Sequence, residues 1–399
     1  MRSEMPEYAI LPSSEVSDSD AGKPITVLDL RDSPWVDGPG RTILDCAETI
    51  DPTVCRIVVC AFDGGLQDGT SYEEEARRRG LLVERIHERR SLDARVLKQI
   101  LDLVKKHDAD ILHSHDFRTD LFGLLAAKLL GKPLVSTVHG WIANTPKGRL
   151  STRLDQVLLR FSSHIISVSD ETRRRLGKWA REDRCTVISN ALRTEKYHPQ
   201  KGRGLFRSSN GIEDGEILIA NIGRLSPEKG QMPFLEAARV LLEQHDGLRF
   251  VLFGTGPDQC LLEDFVDQHD MGEAVIFAGY RTDMDQIYNE IDLVVQSSYT
   301  EGMPNVILEA LLMEVPVIAT SVGGTGEVVK DGETGILIPP GEHASLVNAI
   351  SDFVRQRNRF ADMARRGRSD VLDRFDHRRR VERLVSVYRA HAGLPQGGR

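Results

Sequence analysis

The sequence predicts an α/β protein made of two doubly wound, parallel-sheet domains with a cleft between them. From Ile25 onward, short β-rich runs alternate with amphipathic, charge-decorated stretches, the rhythm of repeated βαβ units. The 399 residues suffice for two domains that each bury a core. A stretch of weak periodicity, rich in glycine and serine, separates the strand runs into two sets, as an interdomain connection would.

Residues 1–23 are polar and acidic and lack the basic start and apolar core of a signal peptide, so they read as a disordered tail. The first domain, 24–195, takes strands at Thr26–Leu30, Ile57–Phe62, Leu82–Ile86, Ile111–Ser114, Leu134–Val138, Ile165–Val168 and Thr186–Ile188. Residues 196–215, with Pro199, Gly202, Gly204 and Gly211, form the linker. The second domain, 216–374, takes strands at Ile217–Ile222, Arg249–Phe253, Val275–Phe277, Leu293–Gln296, Val317–Ala319 and Gly335–Ile338. In 375–399, Val381, Leu384, Val385 and Tyr388 fall at helical spacing, an apolar stripe suited to packing back on the first domain.

Apolar residues at 40% and charged residues at 28% exclude collagen-like, low-complexity and wholly disordered chains. Five scattered cysteines without a C-x-x-C signal neither a disulfide framework nor a zinc site, and fit a reducing cytoplasm. A net charge of −8 argues against a nucleic-acid binder. Between Lys132 and Arg193, however, twelve Lys/Arg face five Asp/Glu, so this window is locally basic. No apolar run approaches the ~18 residues that cross a bilayer.

Ligands of open α/β sheets collect at the carboxyl ends of the strands, where helix N-termini present free N–H groups. Four strand ends carry candidate chemistry. The first leads into Asp37-Gly38-Pro39-Gly40-Arg41-Thr42, a glycine-containing loop able to bring backbone N–H groups close to a phosphate. The fifth ends in Val138-His139-Gly140, a histidine beside an open approach, suited to a hydroxyl or phosphate. In the second domain, Gly223-Arg224-Leu225-Ser226-Pro227-Glu228-Lys229-Gly230 sets two cations five residues apart, a fork and a point charge for a diphosphate. Glu301-Gly302-Met303-Pro304-Asn305 then leads into a helix with Glu309 one turn inside, joining carboxylate acceptors to backbone donors. Each run alone also fits ordinary turn or helix-surface chemistry.

Together, Gly223-Arg224-…-Lys229-Gly230 and the E-x₇-E element from Glu301 to Glu309 resemble the signature of retaining family 4 glycosyltransferases with the GT-B fold. Phe277-Ala278-Gly279-Tyr280-Arg281 and Gly323-Gly324-…-Glu327-…-Asp331-Gly332-…-Thr334-Gly335 match the same pattern in order. The group most resembled builds bacterial exopolysaccharide or lipopolysaccharide. The resemblance implies a metal-independent transferase moving a sugar from a UDP- or GDP-linked donor to a glycan or lipid-linked acceptor, without a further cofactor. It implies that Arg224 and Lys229 hold the diphosphate and Glu309 the ribose. Glu301 with the backbone of Gly302, Met303, Pro304 and Asn305 would hold the transferred sugar and its phosphate, and Arg281 would lie by the base. His139, Gly38 and Gly40 would face sugar and acceptor from the first domain. Asn190-Ala191-Leu192-Arg193 and Gly326 depart from residues common in the family.

Other readings fit less of the sequence. A nucleotide-sugar 2-epimerase of the same fold, or a non-catalytic sugar-nucleotide binder, would reuse the diphosphate contacts. A dinucleotide-dependent oxidoreductase is disfavoured because Gly254-Thr255-Gly256 is followed by Gln259 instead of a third small residue. Asp18-Ser-Asp20, Asp108-Ala-Asp110 and Asp283-Met-Asp285 match the D-x-D string of metal-dependent transferases, but the first lies in the tail, the second precedes a strand and the third opens a helix where Asp is a common cap; His113-Ser114-His115-Asp116 lacks a third ligand at recognisable spacing, and no metal site is expected. The basic window, with Lys147, Arg149, Arg153, Arg160, Arg173, Arg174, Arg175 and Lys178, would suit peripheral contact between a cytoplasmic enzyme and anionic lipid.

Overall fold

A computed structural model describes residues 23–64, 71–90, 92–141, 146–200 and 204–393; almost all of the predicted tail lies outside them. Among the described residues, thirteen strands form two wholly parallel sheets. The first has β1 (Ile25–Arg31), β2 (Cys55–Phe62), β3 (Leu82–Ile86), β4 (Ile111–Ser114), β5 (Leu134–Val138), β6 (His164–Ser167) and β7 (Cys185–Val187), in the order β3-β2-β1-β4-β5-β6-β7. The second has β8 (Ile217–Ile222), β9 (Leu248–Phe253), β10 (Val275–Gly279), β11 (Leu293–Gln296), β12 (Val317–Thr320) and β13 (Ile336–Ile338), in the order β10-β9-β8-β11-β12-β13. Every strand coincides with a predicted run to within two residues. Strand direction reverses its spatial progression between β1 and β4 and between β8 and β11, the switch points where such sheets bind ligands.

The strands are near-continuous apolar runs because helices cover both faces. Leu28, Leu30, Val58, Phe62 and Leu112 pack under the helices Ala94–His107 and Phe117–Leu130 on one face of the first sheet. On the other, Val27, Ile111, Val135 and Ile166 meet Val381, Leu384, Val387 and Tyr388 of the final helix, His377–His391. The chain thus leaves the first domain, builds the second, and returns.

Residues expected to be a free linker are only partly so. Phe206 and Ile212 are buried in the second domain with Phe253 and Tyr288, and Glu290 accepts hydrogen bonds from the backbone N–H groups of Phe206 (3.2 Å) and Arg207 (2.8 Å). Apolar side chains hidden among the glycines and serines tie residues 204–215 to the second sheet.

Candidate functional site

β8 ends at Ile222, and Gly223 donates its N–H to Phe253 O (2.9 Å), continuing the ladder one residue into the loop. Leu225 is buried and anchors the turn, so Arg224 before it projects outward. Its guanidinium is exposed and has no hydrogen bond or ion pair among the described residues. Lys229 closes a short 3₁₀ turn, Pro227–Lys229, and Gly230 adopts a left-handed conformation (φ 66°). A Cβ at Gly230 would lie 2.1 Å from Ser297 O, so glycine is required for the turn to nest against the end of β11. The nesting brings Lys229 Nζ to 2.7 Å from Glu301 Oε1, which also accepts from Ser298 Oγ at 2.7 Å.

After Glu301 the chain runs through Gly302 and Met303 into the helix Asn305–Leu312. Pro304 is its N-cap and offers no capping side chain, so its first N–H groups lack a side-chain cap and suit an anion. A Cβ on Gly302 would lie 1.8 Å from His139 O, so its backbone sits directly against the end of β5. This is the floor of the cleft. Asn190 Nδ2 donates to Met303 O (3.0 Å), and Glu327 accepts from the N–H groups of Asp170 (3.0 Å) and Glu171 (2.9 Å), further joining the two domains.

Gly38 and Gly40 differ from the expected loop: they lie in the first turn of the helix Gly38–Thr49. Asp37 caps it by accepting from Gly40 N (2.8 Å), and Arg31 steadies Asp37 (2.7 Å). Gly38 O accepts from Asn305 Nδ2 (3.1 Å), so the two helix N-termini meet across the cleft. Glu309 also departs from the reading of an open acceptor. Its side chain is 5% exposed, Oε1 pairs with Arg41 Nη1 (2.6 Å) and accepts from Tyr197 (3.2 Å), and Oε2 accepts from Tyr288 (2.9 Å). Burial first, then the carboxylate, raises the pKa of both tyrosines and keeps them as donors; Glu309 raises that of Arg41. Sequence reasoning missed Arg41, Tyr197 and Tyr288 because their partners come from remote parts of the chain.

His139 is half-buried at the end of β5 and lines a cavity of about 150 Å³ with Asp116, Asp120, Trp141, Ser151, Thr152 and Asp155. Asp155 accepts from Trp141 Nε1 (2.8 Å), and Asp120 from Ser114 Oγ (2.5 Å). Burial and the neighbouring Asp155 push Asp120 well above the usual carboxylate range. Behind His139, the third ligand-type group that spacing did not reveal is supplied by Asp29 of β1. Its carboxylate and one ring nitrogen each of His113 and His115 lie within 4.8 Å of one another. All three atoms are in hydrogen-bonding contact: Asp29 Oδ2 with His115 Nε2 (3.0 Å) and His113 Nδ1 (3.3 Å), and the latter with Tyr388 OH (2.8 Å).

Arg281 is not drawn into this constellation: its guanidinium is engaged bidentately by Asp283 (2.8 and 2.6 Å) and lies at the surface. Of the D-x-D strings, Asp110 precedes β4 and accepts from Thr26 N (2.9 Å), at the edge of the sheet opposite the site. Asp108 there pairs with Lys23, and Asp18 and Asp20 lie outside the described residues. The basic window is partly neutralised, since Arg173 and Arg174 pair with Asp170 (3.0 Å) and Glu171 (2.8 Å) on their own helix. The side chains of Lys147 and Lys178 lie outside the described residues.

Two parallel-sheet domains whose strand ends face each other, with a cation pair, a carboxylate and an open helix end at their junction, define a GT-B glycosyltransferase. The chain belongs to glycosyltransferase family 4. Residues 36–196 match the family described as Glycosyltransferase Family 4, and residues 203–370 that described as Glycosyl transferases group 1. An Escherichia coli UDP-Gal:α-D-GlcNAc-diphosphoundecaprenol α-1,3-galactosyltransferase is 30% identical over 312 residues, 74% of this chain and 79% of that enzyme. The capsular polysaccharide biosynthesis glycosyltransferase CapM of Staphylococcus aureus is 24% identical over 308 residues, 73% of this chain and 80% of CapM. Among solved structures, Anabaena HepE in complex with UDP-glucose superposes with a TM-score of 0.81 at 21% identity, over 92% of this chain and all (100%) of HepE.

Proposed function

We propose that the protein transfers a sugar from a nucleotide diphosphate donor, UDP-linked in preference to GDP-linked, to a glycan or lipid-linked acceptor in bacterial polysaccharide or glycolipid synthesis. The observation that carries this reading is Lys229 held at 2.7 Å from Glu301, on the loop that also carries the unpaired Arg224, with the uncapped helix Asn305–Leu312 beginning four residues after Glu301. A departing diphosphate gains negative charge in the transition state, and two cations with free N–H groups suit the stabilisation of that charge. Glu301, steadied by Lys229 and Ser298, accepts hydrogen bonds from hydroxyls of the transferred sugar. Glu309 reaches the ribose by exchanging one of its present donors.

Transfer proceeds with retention, the leaving phosphate oxygen taking the acceptor proton, and needs no divalent ion. The engagement of Asp110 and Asp283 in other contacts favours that reading. The UDP preference is supported by the UDP-Gal in the name of the galactosyltransferase relative and by the UDP-glucose in the HepE complex. The decisive experiment is a thermal-shift screen of UDP-, GDP- and ADP-sugars, followed by product analysis with and without EDTA. Stabilisation by a UDP-sugar and EDTA-insensitive α-product formation are expected. Conversion of the donor alone into an isomeric sugar, as distinct from its slow hydrolysis, would identify an epimerase, and tight binding without turnover on any acceptor a sensor.

The protein also touches anionic membrane, by a narrower face than the basic window implied. The helix Pro146–Leu159 and the residues just after it expose Leu150 (59%), Leu154, Val157 and Phe161 (50%) at helical spacing, flanked by Arg149, Arg153 and Arg160, which have no ion pair among the described residues. The adjacent helix Phe117–Leu130 adds Leu125 and Leu129 (66%), and Lys128 lies over the Phe161 ring at 4.7 Å. Apolar side chains ringed by unpaired cations suit a surface of negatively charged headgroups. The same helix turns Ser151, Thr152 and Asp155 toward the cavity beside His139, so a lipid-linked acceptor would reach the site from this face.

A further inference from the structure

The row Asp29, His115 and half-buried His139 contains two buried groups, Asp29 and His115, that have no role assigned so far. It runs from the middle of the first sheet to the cleft. Asp29 lies within β1, His115 follows β4, and His139 follows β5; the parallel register places Asp29 beside His113. Asp29 Oδ2 lies 3.0 Å from His115 Nε2, and His115 Nδ1 lies 3.0 Å from His139 Nε2, the two rings stacked with centroids 5.3 Å apart. His139 Nδ1 is buried without a hydrogen-bond partner among the described residues.

Proton placement along this row is fixed by elimination. Asp29 Oδ2 lies within hydrogen-bond distance of two imidazole nitrogens, His115 Nε2 (3.0 Å) and His113 Nδ1 (3.3 Å), and as a carboxylate it accepts from both. His115 Nε2 must therefore carry the proton. The His115 ring is buried, which favours its neutral form, so with the proton on Nε2 its Nδ1 faces His139 with a lone pair. His139 Nε2 must then be the donor between the rings. Burial, with the neighbouring His115 and Arg31, keeps His139 neutral as well. Its remaining nitrogen, Nδ1, can only accept.

We infer that Asp29 and His115 are positioning residues that lock His139 as the Nε2–H tautomer, presenting the Nδ1 lone pair to a substrate hydroxyl in the cleft. The inference rests on the reading that His139 faces a sugar. A hydroxyl donates to Nδ1 without transferring its proton, which fixes the sugar's rotation against Gly302. The opposite tautomer would set N–H against the same group and leave that hydroxyl's donor unpaired.

The test begins with ¹⁵N-histidine-labelled protein, whose long-range ¹H–¹⁵N correlations report the protonated nitrogen of each ring. His115 and His139 are expected as Nε2–H tautomers; an Nδ1–H signal for His139 overturns the inference whether or not the protein is active. Asp29→Asn, whose amide can donate to His115 Nε2, should invert both tautomers and lower kcat/KM roughly 10–100-fold. In a His139→Ala background the Asp29→Asn loss should vanish, because the row then has nothing to orient. Equal Asp29→Asn losses in both backgrounds would assign Asp29 a merely structural role. Stoichiometric metal bound by Asp29 and His115 in the purified protein would also overturn it. If no donor sugar is turned over by wild type, the transferase reading fails while the tautomer measurement stands.

Discussion

The two cations of the donor site should respond differently to removal. Arg224 is exposed and unpaired, so Arg224→Ala removes no contact made in the free enzyme and should change stability by less than about 0.5 kcal/mol. Lys229 is 30% exposed and holds Glu301, whose side chain is 9% exposed, at 2.7 Å. Lys229→Ala would leave that carboxylate with Ser298 as its hydrogen-bond donor. Losing one charged hydrogen bond costs about 1.5–3 kcal/mol, and the partial exposure of Lys229 places the expected loss toward the lower value. Both cations stabilise charge that grows on the departing diphosphate, so each substitution should cost about 2.7–4 kcal/mol of activation free energy, or about 10²–10³ in turnover. Urea unfolding and nucleotide release from the donor sugar measure the two effects on the same samples. Normal turnover in both variants would refute the diphosphate assignment. A stability loss in Arg224→Ala equal to that in Lys229→Ala would refute the difference in their pairing.

Arg41→Ala should leave Glu309 buried with two tyrosine hydroxyls and no cation; because Arg41 is a third exposed, the expected loss, about 2–4 kcal/mol, lies somewhat below that of a fully buried pair. A change under about 0.5 kcal/mol in urea unfolding would contradict the pairing. His164 is buried beside His391, and burial, reinforced by that ring, pulls its pKa down to about 4. Between about pH 6.5 and pH 4 the unfolded chain binds a proton that the folded one refuses, so the stability tied to this neutral ring is complete above that window and is lost as pH falls through it. Relative to His164→Gln, wild type should lose roughly 1.4 kcal/mol per pH unit between pH 6 and 5; a constant difference would refute this. Replacing Leu150, Leu154 and Phe161 by serine should abolish co-sedimentation with phosphatidylglycerol vesicles at low salt and leave wild-type donor hydrolysis intact. Absence of wild-type co-sedimentation would dispose of the membrane face.

The strands were legible because most are short apolar or β-branched runs close to glycine, proline or acidic residues, signals local to the chain. Lys229 and Glu301 were legible as separate motifs, while their contact depends on Gly230 nesting under Ser297, 67 residues away. Glu309 shows the limit of local reading. Helical spacing placed it one turn inside the helix, but its burial is decided by Arg41, Tyr197 and Tyr288, separated from it by 268, 112 and 21 residues. The row from Asp29 to His139 is set by strand order: β1, β4 and β5 are neighbours in the sheet, which the order of residues along the chain does not reveal.

The returning helix His377–His391 gives the order of synthesis a structural meaning. Arg380 donates to Ile188 O (2.8 Å), Tyr388 meets His113, and His377 lies against Asp45 and Thr49. One apolar face of the first sheet is therefore sealed by side chains that leave the ribosome after the whole second domain. A nascent chain must carry that face uncovered for most of its translation, and a fragment ending near residue 374 would keep it so, prone to self-association although its strands are complete.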